Sequence, residues 1–157
     1  MAASAWKVTG RAKRALGRGL FTLHTGVFKM ALCLTGASAL LSQSKSVGGI
    51  SVWSQISAQQ ISVRGGYQNR GRTIPGTKWS TGANNSTLKF YYTTIGIIFT
   101  ASNSALNNVR YAVIRNSTGA TDGLILCYAA LSTAAFTITS PNTLTVLPAA
   151  TGVFTLA

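Results

Sequence analysis

Val109–Leu131 reads VRYAVIRNSTGATDGLILCYAAL. Two apolar runs flank Asn116–Gly123, a stretch of Ser, Thr, Asn and Gly. Val109, Tyr111 and Val113 alternate along the first run, and Leu124, Leu126 and Tyr128 along the return. A period of two marks a half-buried strand, and two such runs around a polar turn mark a β-hairpin. The turn also holds Asp122, the only acidic residue of a 157-residue chain that carries 14 Lys and Arg and a net charge of +13. The hairpin therefore sets both questions: what surrounds this β core, and what meets so one-sided a charge.

Strand signals continue on either side of the hairpin. Val27–Leu34 is rich in apolar and aromatic residues and reads as a strand. Residues 50–63 alternate in part and read as at least partly β. Leu88–Tyr92 and Ile95–Thr100 form a strand pair, and short strands close the chain at 136–139, 143–147 and 152–156. Pro141-Asn142 and Pro148 mark turns between them. Residues 35–49 are loop-like, with a short helix around 37–43, and residues 64–78 hold four Gly and one Pro and read as a loop or edge region. The expected fold is all-β: about seven to nine short strands with turns about every 8–12 residues, forming an antiparallel β-sandwich or barrel.

Residues 5–18 read as a short helix with Ser4 as N-cap. At about 100° per residue, Lys7, Arg11, Arg14 and Arg18 fall in one stripe, and Ala5, Val8, Ala12, Ala15 and Leu16 on an adjacent face. The expectation is a basic N-terminal helix or arm over residues 1–18 and a single β domain over 19–157. The basic ridge has no acidic partners at i,i+4, so this helix depends on tertiary packing or on a partner. The basic start resembles a transit peptide and MALCLTGASALL an h-region. However, the basic stretch runs on to Lys29 before that run begins, and the run is too short to span a bilayer, so neither a targeting nor a membrane segment is expected.

Charged residues make up only 10% of the chain, against the usual ~25%, and hydroxyls and amides take their place. Cations at this density repel one another in free solution. Nucleic acid, an acidic protein surface and an anionic membrane would each relieve that repulsion, and composition does not choose among them. Arg64, Arg70, Arg72 and Lys78 form a second basic group beside the helical one. RGGYQNRGR within it is similar to an RGG-type nucleic-acid tract, with Tyr67 placed for base stacking. A glycine-rich turn of a folded protein is the competing reading.

The order of segments resembles a family of small tailed-bacteriophage and prophage virion proteins, of unassigned or capsid-decorating type. Arg110 to Ile114, Thr118-Gly119 and Leu124 to Tyr128 match that family's Arg-Tyr-Ala-Val strand, Thr-Gly turn and return strand. GVFKMALC, GGYQNRGRTIPGTKW, STLKFYYTTIGIIFTAS and the closing GVFTLA are similar to its opening strand, glycine loop, strand pair and last strand. Where the family carries acids after a Lys-Phe pair, Lys89-Phe90 here is followed by Tyr91-Tyr92-Thr93-Thr94. The resemblance implies a virion structural protein, most simply a capsid decoration or cement protein. Its partners would be other virion proteins, foremost the major capsid protein, in a homo-oligomer or symmetric array. A neck, tail or fibre-base protein of the same fold and a non-specific nucleic-acid-binding module are the alternatives. Lys7, Arg11, Arg14, Arg18, Arg64, Arg70, Arg72 and Lys78 are the expected electrostatic contacts.

Catalysis is not expected. The chain has one Asp, one His and no Glu, so a Ser-His-Asp arrangement would have to join the distant His24 and Asp122. Asp122 reads as a turn-former or as the partner of Arg110 or Arg115. Cys33 and Cys127 lie in apolar runs without metal-ligand spacing and read as buried thiols, with a Cys33–Cys127 disulfide as the alternative. No metal and no cofactor are expected.

Overall fold

The computed structural model describes residues 4–20, 22–23, 25–43, 51–76, 78–81, 88–91, 96–118, 123–148 and 152–156. In chain order its elements are β1 (Lys7–Val8), α1 (Gly10–Gly17), β2 (Phe28–Cys33), α2 (Ala37–Gln43), two 3-10 turns (Trp53–Gln55 and Ser57–Gln59), β3 (Arg72–Ile74), β4 (Lys78–Thr81), β5 (Leu88–Tyr91), β6 (Ile97–Thr100), β7 (Leu106–Val109), β8 (Tyr111–Asn116), β9 (Ile125–Ala130), β10 (Phe136–Ile138), β11 (Thr143–Val146) and β12 (Phe154–Leu156). The fold is mainly β, and among the described residues every strand pairing is antiparallel.

A five-stranded sheet in the order β1-β9-β8-β2-β3 is the frame. Its central strands, FKMALC, YAVIRN and ILCYAA, are buried almost throughout. One face carries Phe28, Met30, Leu32, Ala112, Ile114, Leu126 and Cys127, which pack with Ala12 of α1 and with Ile97, Phe99, Leu106, Val109, Ile138 and Val146 of the β6–β11 and β7–β10 pairs. The other face carries Ala31, Cys33, Tyr111, Val113, Ile125 and Tyr128, covered by Ala37 and Leu41 of α2 and by Trp53 and Ile56 of the 3-10 segment. A sheet covered on both sides needs apolar residues at consecutive positions, which explains why these strands read as runs rather than as clean alternation.

The hairpin differs from its sequence reading in two respects. Val109 belongs to β7, and Arg110, outside both strands, separates it from β8. On the return strand Ile114 faces Cys127 but Arg115 faces Ile125, so Leu126 is an extra residue, a β-bulge. The bulge reverses the alternation: Leu126 joins the first face while Tyr128 joins the second, whereas period-two counting put them together.

The N-terminus differs as well. The expected helix from residue 5 begins only at Gly10, and Lys7–Val8 is a strand paired with Tyr128 and Cys127 of β9. Thr9, not Ser4, is the N-cap: its hydroxyl accepts the Ala12 N–H at 3.2 Å and donates to the Ile125 carbonyl at 2.6 Å. Ser4 instead exchanges two bonds with Ala130, its amide reaching the Ala130 carbonyl and its hydroxyl accepting the Ala130 N–H. Ala12 and Ala15 are buried as the helical pattern expects. Residues 50–63 are largely not β: among the described ones the two 3-10 turns replace strand, leaving isolated bridges Val52–Leu124 and Cys33–Gln60. Cys33 and Cys127 are free thiols in the cores on opposite faces of the sheet, which excludes a bond between them.

Candidate functional site

Eight basic side chains are exposed among the described residues: Lys7, Arg11, Lys13, Arg14, Arg18, Arg64, Arg70 and Arg72. No acidic side chain lies among the described residues, so the charge they carry is all of one sign. Five of the eight sit on β1, α1 and the α1 C-cap, where the strand pairing of β1, the Thr9 cap and the burial of Ala12 and Ala15 fix the helix to the sheet. Lys7 precedes the helix instead of sharing its stripe. Lys13, absent from the expected stripe, is exposed on the same helix. Arg11 is partly tied down, its Nη1 donating to Ser51 Oγ at 3.2 Å.

The second expected group, around 64–78, separates into different roles. Arg64 is exposed. Arg72 is exposed at one edge yet donates through Nη1 to the Ile98 carbonyl at 2.5 Å. Lys78 lies in β4, and its side chain is outside the described residues, as are His24 and Asp122 altogether. Tyr67 is buried at 4% exposure: its hydroxyl oxygen accepts the Leu32 N–H at 3.0 Å and its ring lies 6.0 Å from that of Phe99. Stacking of a base on Tyr67 is therefore overturned. The glycines are structural too. Gly71 holds φ at +85°, and a Cβ there would stand 2.1 Å from the Met30 carbonyl oxygen.

Arg70 leads inward. Its φ is +62°, its N–H donates to Gln60 Oε1 at 2.8 Å, and Gln60 Nε2 donates to Asn69 Oδ1 at 3.3 Å. This conformation turns the Arg70 carbonyl toward Arg115 of β8, whose Nε and Nη2 donate to it at 3.3 and 3.4 Å. Arg115 Nη1 donates to the Asn116 carbonyl at 3.3 Å, and the guanidinium lies 5.6 Å over the Trp53 ring. Arg115 is 1% exposed and Trp53 5%. The cation is thus held by carbonyl dipoles and an aromatic face, in the plane geometry that suits arginine and not lysine. Above it opens a cleft of 380 Å³ walled by Trp53, Ser54, Ser57, Gln60, Asn69 and Arg70, with Gly123 at its edge.

Sequence reasoning placed Arg115 only as a partner for Asp122. The signal for more was present: Tyr111, Val113 and Arg115 share a face by period two, and a cation on a buried face is rarely incidental. Lys29 is the register partner of Arg115 in β2, which puts two cations directly opposite on one face. Neither a protein-family model, nor a curated protein, nor a solved structure matches this chain.

Proposed function

We propose that this chain is a bacteriophage virion structural protein and acts as a capsid decoration or cement protein, adhering to an acidic surface of the shell. The observation that carries the reading is the basic segment formed by Lys7, Arg11, Lys13, Arg14 and Arg18. It is anchored to the main sheet through β1 and Thr9, and it is free of acidic neighbours among the described residues. Each exposed cation contributes little alone and is screened by salt. A rigid array of them, repeated around a symmetric shell, adds by avidity. The resemblance to tailed-phage virion proteins supplies the location, the virion, and the partner, the major capsid protein. A homo-oligomer or symmetric array follows from the same reading.

The architecture that fits is an antiparallel β-sandwich: the main core lies between one face of the five-stranded sheet and the β6–β11 and β7–β10 pairs. Among the described residues no helix is long and apolar enough to cross a membrane. The buried Tyr67 is withdrawn from base stacking, which weighs toward an acidic protein surface.

The test is binding to purified capsids that lack this protein, across a salt series, with double-stranded DNA as competitor. Saturable binding at fixed stoichiometry that weakens with salt and ignores DNA is expected. Equal affinity for naked DNA, with DNA abolishing capsid binding, would replace the reading with a nucleic-acid module. Binding to neither would move the protein to the neck, tail or fibre base.

A further inference from the structure

We infer that the outer face of the β6–β11 pair is a self-association surface, on which a second copy of this chain docks through Ile98 and Leu147. The inference deepens the proposed function: it rests on that reading for a symmetric array, and it gives the array a contact face.

Burial divides the two strands by face. Ile97, Phe99 and Val146 belong to the main core, while Ile98, Thr100, Thr143 and Thr145 are exposed. Register pairs Ile98 with Thr145 and Thr100 with Thr143, so these four share one outer face. Leu147, one residue beyond β11, extends it. A Cβ on Gly96 would stand 2.8 Å from Leu147 Cδ2, so the leucine fills the place that the glycine leaves open. Ile98 is 38% exposed and Leu147 56%.

Exposed apolar side chains are common and alone mean little. Charge decides what these two meet. All 14 Lys and Arg precede residue 116, and none lies between 96 and 109. The strands β6, β7, β10 and β11 therefore hold no charged residue. Arg72 reaches β6 only at its edge, through the Ile98 carbonyl. A chain of net charge +13 repels its own copies wherever bases meet, so a neutral face is where two copies approach at least cost. The same neutrality argues against other occupants. Nucleic acid and an acidic shell both gain from cations, which this face lacks. Apolar side chains in a setting depleted of charge are the composition of a protein–protein contact core.

The chemistry also suits a contact of like with like. A two-fold axis brings the same patch of both copies together, so Ile98 and Leu147 meet their own counterparts. Each threonine hydroxyl both donates and accepts, which lets identical side chains bond across such an axis. Among the described residues β11 pairs only with β6, and its sequence TLTV carries none of the charges that commonly guard a strand edge. Salt gives this contact a signature. Screening weakens the repulsion between copies and leaves the apolar contact in place, so self-association strengthens with ionic strength. Adhesion through the α1 ridge has the opposite sign.

The experiment is sedimentation equilibrium of the full-length protein alone, up to about 0.1 mM and from about 0.05 to about 0.5 M salt. A reversible dimer or larger oligomer is expected, tighter at the higher salt. Ile98→Lys and, separately, Leu147→Lys should weaken it at least about tenfold, because a two-fold contact carries each new charge twice. Leu147 lies outside the strands and is mostly exposed, so that variant keeps the fold, which circular dichroism checks. Arg14→Gln on the ridge should not weaken association. A loss in either folded lysine variant supports the face. A monomer under all conditions, association that falls with salt, or association that both lysine variants leave intact overturns the proposal. The assay contains no capsid, so its failure and the failure of capsid binding are read separately.

Discussion

Thr9→Val should lower stability by about 2–3 kcal/mol, because one buried hydroxyl joins the N-terminus of α1 to β9. Thr9 is fully buried, and valine matches its shape but not its chemistry. Two backbone groups lose their partner. The Ala12 N–H is a first-turn donor with no intrahelical acceptor, and losing its cap costs about 1 kcal/mol. The Ile125 carbonyl, at the bulged end of β9, loses the bond it accepts from the hydroxyl, which costs about 1–2 kcal/mol in a buried setting. In a chain of this length each kcal/mol moves Tm by about 2–4 °C, so a fall of about 5–10 °C is expected. Thr9→Ser keeps both bonds and removes one buried methyl, for a loss near 1 kcal/mol. Urea denaturation followed by circular dichroism and tryptophan fluorescence measures both variants. If the valine variant lies within about 0.5 kcal/mol of the parent, or the serine variant is the weaker of the two, the reasoning fails. The packing of Ala12 and Ala15 would then be what fixes α1.

Three further outcomes follow from other parts of the molecule. Gly71→Ala should cost more than about 2 kcal/mol by urea denaturation, because its Cβ would meet the Met30 carbonyl oxygen, a backbone atom of the central sheet, at a φ that disfavours side chains; a neutral result would show that the 68–71 turn moves freely away from β2. Burial pushes the Cys33 thiol up from 9.0 to about 12 and the Cys127 thiol well above 9.0, so above pH 9 the unfolded chain ionises while the folded chain does not. Stability should then fall with pH by about 1.4 kcal/mol per unit for each thiol, and Cys33→Ala with Cys127→Ala should flatten the slope; equal slopes in parent and variant would refute the assignment. Arg14→Glu should leave the denaturation midpoint within about 0.5 kcal/mol yet weaken capsid binding severalfold at low salt, and an unchanged capsid affinity would remove α1 from the contact.

What the sequence made legible was whatever depends on neighbours along the chain. The β2 run, the 37–43 helix, the closing strands and the buried cysteines follow from local apolar pattern. The β1 strand could not be read, because two residues carry no period and Lys7–Val8 pairs only because β9 offers an edge. The choice of Thr9 over Ser4 as cap rests on the Ile125 carbonyl, 116 positions away. The Leu126 bulge defeats period-two counting for the same reason: a ladder absorbs an extra residue to suit its partner. The ridge was legible as charge, except for Lys13, and Lys7 turned out to stand outside the helix. The cleft was not legible, since Trp53, Arg70 and Arg115 meet only through the fold.

The fold also changes what the net charge of +13 means. Read as composition, every base is available to a partner. In the structure Arg115 is committed to the Arg70 and Asn116 carbonyls, and Arg72 to the carbonyl of Ile98. The buried Arg115 and the exposed Arg72 are each held by carbonyl dipoles aimed at them, and they hold the 60–72 loop onto β8 and β6. The exposed ridge on β1 and α1 is the opposite case: solvent-facing side chains on a fixed backbone, each screened within about 10 Å at 0.1 M salt. Salt should therefore separate the two. Attraction through the ridge falls steeply with ionic strength, whereas the carbonyl contacts that hold Arg115 and Arg72 do not depend on it in the same way. A partner that used only the ridge would be displaced by salt alone.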